Sequence, residues 1–295
     1  MDQTNSVFSE KAPNTKLWYQ LDRGGDCWPV LNRFTSGQEY ITVRAAQDRK
    51  VVTRAQEQQY LWQHMAKQPI AGTYQMYVPA CRNRATRMAN MQLRYCPVTV
   101  EMYDDENRKT LHVQMWAVST KEKGTTPPGE EPIEWLLLTN YPVKTLADAQ
   151  LVIEGYVARW RVEEFHKAWK SGACRVEDNQ LRDYDHVLRW AIVLAAVAMR
   201  ILRLTYLARV SPNLPASCEL SPPEIRAVVA AHRKHKPRSR FSTTPTIAQA
   251  VLWIAELGGY TGASSGGPPG ALVLARGLQK IEFLAAFLPS VTVNK

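Results

Sequence analysis

Tyr156-Val-Ala-Arg159-Trp-Arg-Val-Glu163-Glu-Phe-His-Lys167-Ala-Trp-Lys170 is the most informative run in the chain. As one continuous helix, at about 100° per residue, Arg159, Glu163 and Lys170 stand about 300°, 340° and 320° around from Tyr156. A phenol, two cations and a carboxylate then share a sector of about 60°, with Lys167 at its margin. Ala158, Val162, Phe165 and Trp169 gather opposite as a packing side. Such a helix aims a carboxylate and cations at one place, as a metal ion beside phosphates requires. The same pattern also fits an amphipathic helix with ordinary surface ion pairs, such as Glu163 with Lys167.

The spacing Y-(2)-R-(3)-E-(6)-K resembles the signature of the insertion-sequence-4 family of bacterial cut-and-paste transposases. The run Arg159-Trp-Arg-Val-Glu-Glu-Phe-His-Lys-Ala-Trp-Lys-Ser-Gly172 is similar to members of the Tn-five type. The resemblance implies an α/β fold: a ribonuclease-H-like mixed sheet flanked by helices, with an inserted β-rich subdomain and a C-terminal helical region. It implies catalytic, metal-binding carboxylates, and Glu163 matches the signature glutamate. Leu21-Asp-Arg-Gly-Gly-Asp26 resembles the family's strand-end D-R-x-x-D, so Asp22 matches its second aspartate. Mg2+ is the implied cofactor, with Mn2+ as substitute. Arg159 and Lys170 would bind phosphates, one by a bidentate fork and one as a point charge. Tyr156 would donate a hydrogen bond to a phosphate. Trp135 matches a tryptophan that stacks on a flipped base, and reads equally as a core residue at a strand start. Arg44 resembles a DNA-contacting arginine, or is a solvated strand end. Arg161 and His166 read as surface residues.

The family's first aspartate belongs on a strand upstream of Asp22, where this chain offers only Asp2 in a polar tail. The resemblance runs from about Lys16 to the C-terminus. The implied chain is an N-terminally truncated transposase with little or no cleavage of its own. Its partners would be double-stranded transposon ends and a second copy, or a full-length transposase in a heterodimer. The alternatives are a non-catalytic, dimerising inhibitor of full-length transposase and a general basic DNA-binding protein. The implied location is the bacterial cytoplasm, with the nucleoid when DNA-bound.

Composition bounds these readings. The chain has 295 residues and a net charge of +10, which suits an anionic partner. Five cysteines at irregular spacing, with no C-x-x-C pair, point to reduced thiols rather than a disulfide framework. There is no H-x-x-x-H pair for zinc and no G-x-x-x-x-G-K loop for ATP. No apolar run reaches the length of a membrane span, and no signal peptide is recognisable. Ala191–Met199, the longest apolar run, reads as a buried helix.

Residues 1–15 read as a loose tail, 16–210 as an incomplete catalytic core with a β-rich insertion at about 72–132, and 211–295 as a helical, dimerisation-like region. Within the core, strands at 16–21 and 40–44 flank a helix that Asp26 would cap and Gly37 close. Strand patterns follow at 74–78, 92–95, 98–103, 111–118 and 134–139. A helix from 145 to 170 carries the signature, and another runs from 183 to 208. Beyond the proline-rich 211–223, helices occupy 246–257, ending at Gly258-Gly259, and 272–288. The run 232–240 is the densest cationic stretch, suited either to DNA phosphates or to solvent. Trp253, Leu257, Leu278 and Phe283 resemble the family's dimerisation region, or form a satellite core.

Overall fold

The computed structural model describes residues 1–35, 39–52, 58–78, 87–170, 172–236, 242–262 and 267–287. The chain forms two compact units, Met1–Arg159 and Trp160–Lys295.

The first unit holds β1 (Trp18–Leu21), α2 (Trp28–Arg33), β2 (Tyr40–Arg44), β3 (Lys50–Val52), β4 (Gln58–Tyr60) and α3 (Leu61–Lys67). It continues with β5 (Gly72–Val78), β6 (Arg87–Asp104), β7 (Lys109–Glu122), β8 (Glu134–Thr139) and α4 (Leu146–Ala158), and it opens with α1 (Asp2–Lys11). Among the described residues these eight strands make one sheet in the order β1-β2-β8-β7-β6-β3-β4, with β5 also paired to β6. β1 and β2 are parallel and the other pairs antiparallel. This is the expected mixed α/β sheet flanked by helices. The β-rich stretch adds its strands to the same sheet, because β8 pairs with β2 on one side and β7 on the other.

Alternation explains why Trp135-Leu-Leu-Leu138 is apolar throughout. Leu138 packs with Leu31 of α2 and Leu61 and Met65 of α3 on one face. Leu137 packs with Val152, Ile153 and Tyr156 of α4 on the other. A strand covered on both faces has no polar side to show.

Several expectations need correction. The polar stretch expected to be loose carries α1, a surface helix with no buried residue. Polar contacts hold it: Arg33 pairs with Asp2, and Asn5 bonds Glu39 and the Tyr19 hydroxyl. The strands expected at 92–95 and 98–103 are one strand, β6, running through Pro97. On one edge β6 pairs with β5 up to Leu93 and resumes with β3 at Thr99. Pro97 falls in that gap, where its missing N–H removes no ladder bond. Asp26 does not cap α2; Cys27 holds that position, and Gly37 lies outside the described residues. The short helix α3 had no clear periodicity in its mixed sequence. Asp48 supplies its start, accepting from the Trp62 N–H at 2.9 Å.

The helix expected from 145 to 170 is two helices. Arg159 keeps right-handed helical angles, yet its N–H bonds Tyr156 O, three residues back, at 3.1 Å. That tightened turn ends α4 and precedes α5 (Trp160–Lys170).

The second unit adds α6 (Tyr184–Val210), α7 (Pro222–His235), α8 (Ile247–Leu257) and α9 (Ala271–Phe287). Asp183 caps α6 by accepting from the His186 N–H, and Thr246 caps α8 with Gln249 completing a capping box. Ile201, Leu204, Val228, Ile254, Leu274 and Ile281 form the core. α8 and α9 meet at glycines. A Cβ at Gly277 would lie 1.9 Å from Ile254 O, and one at Gly258 1.7 Å from Val273 O. α6 departs from expectation, because Ile192, Val193, Val197 and Met199 are exposed, while Ala198 is fully buried. Its described partners cover one side only. By length and composition α6 could cross a membrane; through Ala198, Ile201 and Leu204 it also forms one wall of a helical core.

Candidate active site

β1 ends in Leu21, which pairs with Val43 of the parallel β2. The next residues, Asp22 and Arg44, therefore stand together at the carboxyl end of two parallel strands, where open α/β sheets place ligand groups. Asp22 is exposed. Its Oδ1 accepts the Gly24 N–H at 3.0 Å and starts a single 3-10 turn, Arg23–Gly25. Arg44 is half-buried, and its Nη2 donates to Glu134 O at 3.2 Å. β8 runs antiparallel to β2, with Leu137 opposite Arg44. Trp135 thus lies at the same end of the sheet.

Trp135 is half-buried, its ring packed edge-on against Tyr156 at 5.4 Å. Tyr156 is buried in the layer between α4 and the sheet, not on an open polar stripe. Gly155 permits that approach, since a Cβ there would lie 2.8 Å from Gln20 Nε2 of β1. The Arg159 guanidinium stands 5.7 Å from the centre of the Tyr156 ring, within range of a cation–π contact.

Asp26, four residues after Asp22, is a missed structural anchor. Its carboxylate is buried and accepts from Ala46 N at 2.7 Å, Gln47 N at 3.1 Å and Arg49 Nε at 2.9 Å. It fastens the loop after β2 to the turn after β1, and so holds the strand ends that carry Arg44 and Asp22. The D-R-x-x-D spacing was the only sign of it.

In the second unit, Glu163 and Lys170 are exposed on α5, seven residues apart and so on one face. Lys170 Nζ lies 3.5 Å from Glu177 Oε1. The opposite face is fixed inward: Ala168 is buried, Phe165 and Trp169 stack at 5.7 Å, and Trp169 Nε1 donates to Ala191 O at 3.0 Å. Of the expected packing side, Phe165 and Trp169 pack, whereas Ala158 and Val162 are exposed. Arg161 lies 4.0 Å over the Tyr206 ring.

Among the described residues, no three His, Cys, Asp or Glu side chains converge as a metal-ligand set. Cys27, Cys96, Cys174 and Cys218 are free thiols, and burial pushes Cys96 up to about 11. Cys81 lies outside the described residues, as does the end of the 232–240 cluster. Its first member, His232, is buried and stacked on Trp253 at 4.1 Å, so it is not a surface cation.

The first unit also holds a groove of about 530 Å³ lined by Arg23, Arg44, Arg94, Lys121, Glu134 and Trp62, among others. Strand alternation sends Arg94, Lys121 and Glu134 to the α3 side of the sheet, where Trp62 projects at half exposure. These residues come from separate segments, so no local motif announces them.

Comparison with protein families gives two matches. The family described as Transposase DDE domain matches residues 33–200, more than half of the chain. That span contains Arg44, Trp135, Tyr156, Arg159, Glu163 and Lys170, and begins after Asp22. The family described as Transposase Tn5 dimerisation domain matches residues 196–289.

Proposed function

The chain belongs to the DDE transposases, and on that premise we propose that it acts in cut-and-paste DNA transposition, as a metal-dependent endonuclease and strand transferase. The DDE-domain match carries this reading, supported by the strand-end placement of Asp22 and Arg44.

DDE transposases use divalent metal ions, generally Mg2+. Asp22 and Glu163 are the residues proposed to hold one. Both offer hard carboxylate oxygens, the donors that Mg2+ takes. When bound, such an ion supplies activation of the attacking oxygen and stabilisation of the leaving one. Arg159, Lys170 and Arg44 would hold the phosphates beside it. Tyr156, buried against the sheet, would brace Arg159. Trp135 would receive a base turned out of the duplex, in a cleavage that passes through a hairpin.

With Asp22 and Glu163 the carboxylates assigned to the metal, and two holding Mg2+ more weakly than three, the chain by itself is proposed to cleave little or not at all. The dimerisation-domain match supports a dimer, with a second copy or with a full-length transposase. The exposed Phe283, Leu284 and Phe287 of α9 offer an apolar surface for it. The same match supports a second reading: an inhibitor that pairs with full-length transposase. In either role the protein would work in the bacterial cytoplasm, on the nucleoid when DNA-bound.

Iron-directed cleavage tests the shared metal site. With Fe2+ and ascorbate, backbone cuts are expected near both Asp22 and Glu163, competed by Mg2+ and lost in Glu163→Gln. Cuts near only one of them would remove the shared site. A nicking assay on transposon-end DNA with Mg2+ or Mn2+ separates the roles. Clear turnover abolished by Glu163→Gln would establish the chemistry and refute stand-alone inactivity. Suppression of a full-length transposase by this chain without turnover would favour the inhibitor.

A further inference from the structure

We infer that the groove between α3 and the sheet end is a binding track for a single DNA strand, with Trp62 as its base-stacking residue. The inference rests on the transposase reading and names where in the first unit an unpaired strand would lie.

Charge and openness argue for a polyanion. Four cations line the groove against one carboxylate. Arg94 is set in place by donation from Nε to Gln68 O at 3.0 Å. Lys121 pairs with Glu134 at 3.0 Å, but both side chains are half-exposed. Such a pair contributes little and exchanges readily for a phosphate. Arg23 directly follows Asp22, so a backbone held by Arg23 and Arg44 arrives at the strand-end carboxylate.

Trp62 argues for unpaired bases. Its neighbours Leu61 and Met65 are buried, yet Trp62 is 51% exposed and lines the groove. Its backbone N–H is held by Asp48, so the ring sits on an anchored first turn rather than a loose loop. An open indole beside spaced cations is the arrangement by which proteins hold single strands, phosphates on the cations and a base on the ring. A duplex keeps its bases stacked on each other and has none to offer.

The test uses the full chain with two probes: a short single strand carrying one 2-aminopurine, and a blunt duplex of the same sequence. Trp62→Ala is expected to weaken single-strand binding about five- to tenfold while changing duplex binding less than about twofold. Trp62→Phe should retain binding, and quenching of the 2-aminopurine should disappear only in Trp62→Ala. Arg94→Ala should lower the single-strand salt slope by about 0.7. Unchanged single-strand affinity in Trp62→Ala, or equal losses on both probes, would overturn the inference and leave the transposase reading standing. A folded parent chain that binds neither probe would overturn both.

Discussion

In the first unit, Leu137 and Leu138 bury on opposite faces of a sheet whose neighbouring strands come from residues 40–44 and 109–122. In the second, Ile254, Leu274 and Ile281 meet between helices that follow one another along the chain. One core is closed by hydrogen-bonded register between distant segments, the other by close approach of neighbouring helices. Each therefore has its own weak point: a polar fastening in the sheet unit, a backbone contact in the helical one.

The largest expected effect breaks the sheet unit. Asp26→Ala would leave two backbone N–H groups and Arg49 Nε without their acceptor and the guanidinium without its counter-charge, where the Asp26 side chain is fully buried and Arg49 nearly so. Removing one partner of a buried pair costs about 3–5 kcal/mol. Hydrogen exchange read by mass spectrometry should show faster exchange in β1, β2 and the following loop, with α8 and α9 unchanged. Equal loosening of both units would deny that they stand as separate cores.

The converse is Gly277→Ala. The added methyl would meet the Ile254 carbonyl, which is backbone and cannot rotate away. Forcing α8 and α9 apart costs about 3 kcal/mol, at the upper end for overpacking. Exchange should rise in α7 to α9 and not in the sheet. Near-parental stability would mean that the glycine contact does not hold the helical core.

The smallest effect is a pH dependence confined to the second unit. Burial is the largest influence on His232 and holds its pKa below the ordinary 6.5, against the opposing pull of Glu256. On unfolding the imidazole binds a proton that the folded state disfavours. Stability is thus complete above about 6.5 and declines as the pH falls through the lower folded value. A small fall in Tm is expected across that window. His232→Phe, which keeps a ring against Trp253, should remove the part of the slope due to this group. An unchanged slope would show that another group carries it.

The contrast also explains what could be read from the sequence. The strand at 40–44 and the capped helices starting at 184 and 247 stand as expected, because alternation, periodicity and caps are complete within one short segment. The stretch 92–103 reads as two strands locally and is one, because the neighbour strands decide whether the missing N–H of Pro97 matters. The run at 191–199 misled because apolarity gives no count of the partners available to cover it. In the site, the strand end carrying Asp22 was legible and the company around it was not. Asp26 was taken for a helix cap when its acceptors lie on the loop after β2, and Trp62, Arg94 and Lys121 carried no shared motif.

Local pattern alone gives the family, the apolar run that buries 135–138 on both faces, and the positions of most helices. Each follows from residue type at fixed local spacing. Tertiary structure alone decided that Tyr156 turns inward against Trp135, that Asp26 fastens two strand ends, and that cations from four segments line one groove. Those outcomes depend on strand register and helix packing between segments far apart in the chain, and no local pattern records which distant residue will stand opposite.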